Sequence, residues 1–238
     1  MPFFKQIEDG RVINSNKKII VFGNGGHART IHGYFFDEKN VEGFVVDDQF
    51  VDVQPMIGST TVYPFREINK RFPPSEYSVL VALGFKDMNE LRMQKSIELR
   101  NLGYEFVGFI DKSVRVPSRF NVKSNAIIIG NADIHDGVSI GEGAFISSGA
   151  VLGHDSILGS YCWIGSGAVL AGMAHVGDCT VLGMNVSVGQ NTSLAHHTLV
   201  SPNTFVNINT NPYCSVVSPS GKDVNVDSRK LHKFSYRK

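Results

Sequence analysis

At 238 residues and 42% hydrophobic, the chain is long enough for one large or two modest domains and has the composition of a folded protein rather than a disordered one. Lysine and arginine total 23 against 22 aspartates and glutamates, a formal net charge of +1, so no global field favours nucleic acid or an anionic membrane surface. Cys162, Cys179 and Cys214 are odd in number and have no metal spacing, which argues against a disulfide framework. With no basic-then-apolar leader and no run long enough to span a bilayer, the expectation is a cytoplasmic protein without membrane insertion.

The first half alternates strand-like and helix-like runs. KIIVF at 18–22 is a buried-strand candidate running into the glycine turn Gly23-Asn24-Gly25-Gly26, with a helix expected over 27–37. A second strand over 42–46 ends on Asp47-Asp48. A third over 77–83 ends on Gly84, before a helix expected over 87–101. This order predicts a small parallel α/β sheet over residues 1–109.

From Ile110 the rule changes. An aliphatic residue recurs at every sixth position through Val206, without an insertion, and glycine follows it directly at 141, 153, 159, 165, 177, 183 and 189. A six-residue period suits neither an amphipathic helix nor an alternating strand; it is the signature of a hexapeptide β-helix over residues 110–206, with glycines supplying turn conformations. Residues 207–238 are expected to form a partly ordered, basic-ended tail.

The pattern resembles the hexapeptide-repeat acyltransferase superfamily, which implies a left-handed prism with three hexads, or eighteen residues, per coil. Folded that way, residues eighteen apart stack at about 4.8 Å. His154 and Asp155 then occupy a turn where side chains project outward. A histidine there is suited to general-base work near neutral pH, and a neighbouring carboxylate can fix its tautomer. Asp136 lies eighteen residues before His154 and Gly172 eighteen after, so one offers a second carboxylate and the other an amide facing a developing oxyanion. In the first half, the glycine turn offers donors at a helix N-terminus, and Asp47 stands where a carboxylate binds ribose.

Together, Phe22 to His27, Val46-Asp47-Asp48, His154-Asp155 and Ala171-Gly172 resemble the nucleotide-sugar acetyltransferases that include sialic-acid O-acetyltransferases and UDP-4-amino-sugar N-acetyltransferases, over about Lys18 to Lys222. The resemblance implies a Rossmann-like first domain and a homotrimer using acetyl-CoA, with each site between adjacent β-helices and no metal. It gives His154 the general-base role, Asp155 the supporting role and the Gly172 amide the oxyanion. It assigns Gly25, Gly26, His27, Asp47, Asp48 and Gly84 to the nucleotide-linked sugar. Gly183-Met184 and Ser201-Pro202 align with pantetheine contacts and Lys222 with the CoA nucleotide.

Trp163 departs from the family, many of whose members carry a second histidine there; a tryptophan cannot accept a proton but can stack on pantetheine or sugar. His196-His197 is read as a surface pair whose side chains point apart, without a third metal ligand. The acceptor expected is the amino group of a nucleotide-linked 4-amino-4,6-dideoxysugar. Sugar O-acetylation, a non-catalytic trimeric sugar-binding scaffold and a nicotinamide-dependent oxidoreductase remain the alternatives.

Overall fold

The computed structural model describes residues 4–7, 10–13, 17–34 and 41–221. The α/β part contains β3 (Lys18–Phe22), α1 (Gly26–Tyr34), β4 (Val41–Val46), β5 (Met56–Ile57), β6 (Thr60–Pro64), α2 (Ile68–Arg71), β7 (Tyr77–Val81), α3 (Glu90–Asn101) and β8 (Glu105–Phe106). Two strands precede it, β1 (Phe4–Ile7) and β2 (Gly10–Ile13), and β9 (Gly108–Asp111) follows.

The first sheet runs β5-β6-β4-β3-β7-β8. β3 is central, and β4 and β7 flank it in parallel. The chain leaves β3 on one side and returns on the other, so strand order reverses between β3 and β7. The crevice at the carboxyl ends of such strands is where open α/β sheets bind ligands. Gly23 and Gly84 stand there. The expected helices hold with changed bounds: α1 starts at Gly26, and the end of its expected span at Asp37 lies outside the described residues. α3 starts only at Glu90, because Asp87, Met88 and Asn89 form a turn with φ of 51°, 52° and 66°.

The second part is a three-faced parallel β-helix of two-residue strands. The first face carries β9, 127–128, 145–146, 163–164, 181–182 and 199–200; the second 133–134 through 205–206; the third 121–122 through 193–194. Rungs pair in parallel at a register of eighteen, as in Ile127↔Phe145 and Val151↔Val169. The second residue of each strand points inward, and the ladder of Ile128, Ile146, Ile164, Leu182 and Val200 is buried with its counterparts on the other faces. Each such side chain contributes about 1.5–3 kcal/mol by leaving water, which makes the hexad period the main determinant of this half.

The glycine after each aliphatic residue has a different role from the one expected. At Gly153 a Cβ would stand 2.7 Å from the Ala171 carbonyl carbon and the Leu170 oxygen, so the requirement is close coil-to-coil approach. Positive φ falls two residues later, at Asn131, Asp155, Met173, Asn191 and their equivalents. Two further differences concern the ends. β1 and β2 form a hairpin whose second strand pairs antiparallel with β9, extending the first face. In the tail, Ser215–Val216 adds a rung on Leu199–Val200 after sixteen residues instead of eighteen, so order continues past Val206.

The α/β part packs on the first face. Ile127 and Phe145, which point out of the prism there, share a core with Val21, Ala28, Ile31 and Leu80, and Trp163 packs against it. A buried polar seam runs alongside. Asn125 accepts from the Val81 N–H at 2.9 Å and donates to Ser96 at 3.2 Å, while Arg92 donates to the carbonyls of Tyr161 and Cys162 at 3.1 and 3.3 Å.

Candidate active site

His154 and Asp155 occupy the turn between strand 151–152 on the second face and strand 157–158 on the third. This corner is opposite the face that carries the α/β part. Asp155 adopts φ 54°, which turns its carboxylate back so that Oδ2 meets His154 Nδ1 at 3.0 Å. With Nδ1 engaged, Nε2 is the atom left to exchange a proton. The side chain is 55% exposed. On the next coil the ring rests against Gly172: a Cβ at that position would stand 2.3 Å from His154 Nε2. The Met173 N–H bonds back to the His154 carbonyl at 2.8 Å, fixing the two turns to each other. Among the described residues the Gly172 N–H donates to no backbone acceptor.

The expected second carboxylate is placed differently. Asp136 bonds to Arg119 instead of His154, accepting from its Nε at 2.6 Å and its backbone N–H at 3.0 Å. The Arg119 side chain and then its backbone N–H hold the Asp136 pKa below the usual carboxylate range. Arg119 Nη2 also lies 3.8 Å from Asp155 Oδ1. The sequence reading missed Arg119, although stacking by eighteen residues places it directly under Gly137, beside Asp136.

Around this corner the surface is apolar where it need not be. Ile157, Val169, Met173 and Phe205, on or between the second and third faces, are 49%, 38%, 42% and 64% exposed. Gly183, Met184 and Pro202, expected to meet pantetheine, lie at the corner joining the first and second faces. Pro202 sits over Gly183, and Met184 is 57% exposed. The second face therefore lies between these residues and His154.

The residues expected to hold the sugar nucleotide divide into two groups. Gly25, Gly26 and Gly84 are open: no atom stands within 4 Å of a Cβ built at Gly25 or Gly84, and only the Arg29 guanidinium approaches Gly26, at 3.7 Å. Asp47 and Asp48 are engaged by cations of their own chain. Asp47 accepts from Lys95 at 2.7 Å, and Lys95 lies between the rings of Phe22 and Phe65. Burial opposes the Lys95 ammonium, yet Asp47 and Glu98 outweigh it and leave its pKa raised. Asp48 accepts from the Arg66 backbone at 3.1 Å and from its guanidinium at 3.0 Å, which lowers its pKa.

His27 and Trp163 both border the seam between the two parts. The Trp163 ring centroid is 4.2 Å from Phe145, 5.0 Å from His27 and 5.1 Å from Phe85, with the Arg92 guanidinium 5.7 Å away. Burial, aided by Arg92, pushes the His27 pKa down to about 3, and its Nε2 is buried without a partner. Arg92 is 1% exposed and forms no ion pair with a carboxylate among the described residues; burial lowers its pKa to about 10.

Lys222 lies outside the described residues. His196 and His197 do not point apart as expected: their Nδ1 atoms are 2.9 Å from each other, with Tyr213 stacked on His197. Among the described residues no group of three His, Cys, Asp or Glu could hold a metal, the cysteines are free, and no helix is long and apolar enough to cross a membrane.

Residues 137–172 match the family model of the bacterial transferase hexapeptide (six repeats). No curated protein matches the sequence. Among solved structures, the chain is similar to PerB from Caulobacter crescentus, in complex with CoA and GDP-perosamine, at 23% identity and a TM-score of 0.76, covering 86% of this chain and 95% of that one. It is also similar to the acetyltransferase domain of PglB from Neisseria gonorrhoeae, at 19% identity and a TM-score of 0.76, covering 85% and 97%. WeeI from Acinetobacter baumannii matches at 14% identity and a TM-score of 0.60, covering 85% and 97%. Residues 137–172 thus share the repeat pattern of that family model, and the fold from the α/β part through the prism is shared with these solved structures.

Proposed function

We propose that this hexapeptide-repeat chain is an acetyl-CoA-dependent N-acetyltransferase acting on the amino group of a nucleotide-linked 4-amino-4,6-dideoxysugar. The observation that carries the reading is the corner at His154: Nδ1 on Asp155, Nε2 against Gly172, and an amide there without a described acceptor. PerB has the same overall fold and is seen with CoA and GDP-perosamine, which supports the substrate class. In the reaction the sugar amine attacks the thioester carbonyl and His154 Nε2 takes its proton. The oxyanion accepts from the Gly172 N–H. Collapse breaks the carbon–sulfur bond, and the imidazolium proton goes to the departing thiolate. The products are the amide and free CoA, with no acyl-enzyme.

In this reading the winding is left-handed, the first domain is Rossmann-like, and the enzyme is a homotrimer. Two placements support an intersubunit site. The open glycines belong to a part that packs on the first face, while His154 is at the opposite corner, so a neighbour's α/β part has to supply the sugar to a given His154. The exposed Ile157, Val169, Met173 and Phe205 give that neighbour an apolar surface to cover.

The test is thiol release from acetyl-CoA with UDP-, dTDP- and GDP-linked amino sugars. Release with an amino sugar at a turnover of at least about 1 s⁻¹ is the expected result. Release only with sugars lacking the amine would replace N- by O-acetylation, and none with any sugar would favour a binding scaffold.

A further inference from the structure

We infer that Arg119 is a positioning residue for the candidate base: it bridges Asp136 and Asp155 and so holds the Asp155 carboxylate on His154 Nδ1. This rests on the reading of His154 above and goes beyond it by naming what fixes the dyad.

The corner stacks three coils. Arg119 is on the lowest, Asp136 and Gly137 on the next, and His154 with Asp155 above. Arg119 is itself anchored, since its carbonyl accepts from the Gly137 N–H at 2.7 Å and its own N–H donates to Asp136 Oδ1 at 3.0 Å. Its guanidinium then has a fixed base from which to reach upward, with Nε on Asp136 Oδ2 at 2.6 Å and Nη2 3.8 Å from Asp155 Oδ1. The Asp155 N–H bonds the Asp136 carbonyl at 3.0 Å, so the two acidic residues are neighbours on successive coils.

Asp155 needs such a hold. Its side chain is 49% exposed, and its carboxylate lies over Gly137, where a Cβ would come within 2.2 Å of Oδ1. Without a cation between them, two adjacent carboxylates repel, and Asp155 turns outward to water. The guanidinium fork suits this bridge because its donors are fixed in one plane and can address two carboxylates at once. Arg119 is 68% exposed and contributes little to stability, so its variants retain the fold.

The experiment is steady-state kinetics of Arg119→Ala, Arg119→Lys, Asp155→Asn and Arg119→Ala/Asp155→Asn. Arg119→Ala is expected to lower kcat about tenfold, because the base is mis-set while both substrates still bind with unchanged KM. Arg119→Lys should recover part of that loss. Because Arg119 acts through Asp155, adding Arg119→Ala to Asp155→Asn should cost less than about twofold more. Multiplicative losses, a kcat of Arg119→Ala within twofold of the parent, or a loss confined to KM would each overturn the inference. His154→Ala, assayed beside them, separates the failures. If it abolishes turnover and Arg119→Ala does not change it, only the role of Arg119 falls; if His154→Ala is unimpaired, the base assignment falls and this inference with it.

Discussion

His154 and His27 both stand near an arginine, and the surroundings give them opposite chemistry. At the outer corner of the prism, His154 is solvated and meets Asp155, while the nearby Arg119 is itself engaged by Asp136. In the seam, His27 is wedged between Phe145 and Trp163 and faces the cation of Arg92 without a carboxylate. Burial and the unbalanced arginine keep that imidazole neutral, and its Nε2 is enclosed. A proton acceptor needs a partner for the charge it takes up and an approach for the donor. The corner provides both, and the seam provides neither.

The contrast can be broken most severely at the corner. His154→Ala is expected to lower kcat by roughly 10²- to 10⁴-fold with the prism intact, since the side chain lies outside it; thiol-release kinetics on the folded variant check this. Next comes Gly172→Ala. The new methyl meets the far end of His154, a side chain free to rotate, so kcat should fall about 100-fold while denaturant midpoints hardly move. Gly153→Ala inverts that outcome: its methyl meets the backbone of the next coil, and urea unfolding should show a loss of roughly 1–3 kcal/mol.

The smallest effect lies in the seam. The folded pKa of His27 is depressed to about 3 from an ordinary 6.5, so between those values the unfolded chain binds the extra proton. Stability is complete above about pH 6.5 and falls as pH drops through that window, by about 1–2 kcal/mol at pH 5. His27→Phe should remove this share of the pH dependence. Urea midpoints at pH 7 and pH 5 that shift equally in parent and variant would assign the titration elsewhere.

Much of the corner was legible in the sequence because one rule governs it. The six-residue period fixes which residues point inward, and stacking by eighteen residues brings His154 onto Gly172. That stacking also puts residue 119 beneath 137, but a lone arginine outside any motif gave no reason to use it. The seam was not legible, since its chemistry depends on which outward residues of one half meet the other. Stacking by eighteen puts Phe145 beside Trp163, but nothing local to Trp163 says that Phe85 and His27 join it, and nothing local to Arg92 says that carbonyls of the prism take its hydrogen bonds. The turn at Asp87, Met88 and Asn89 was missed for the same reason: aspartate and asparagine visit the left-handed region singly, but three such residues in a row have no local signal, and the Asn89–Arg92 contact belongs to the folded state.

In the proposed assembly, one chain's His154 works with a neighbour's α/β part. Mixed assemblies test it: His154→Ala lacks the base, while Gly25→Leu blocks the glycine turn at a position where no atom stands within 4 Å of the added Cβ. Each variant alone should be inactive. Refolded together in equal amounts, random mixing should restore activity to about a quarter of the parent value, because that share of interfaces joins an intact base to an intact glycine turn. Activity no greater than the sum of the two separate variants would contradict the claim and place both halves of the site within one chain.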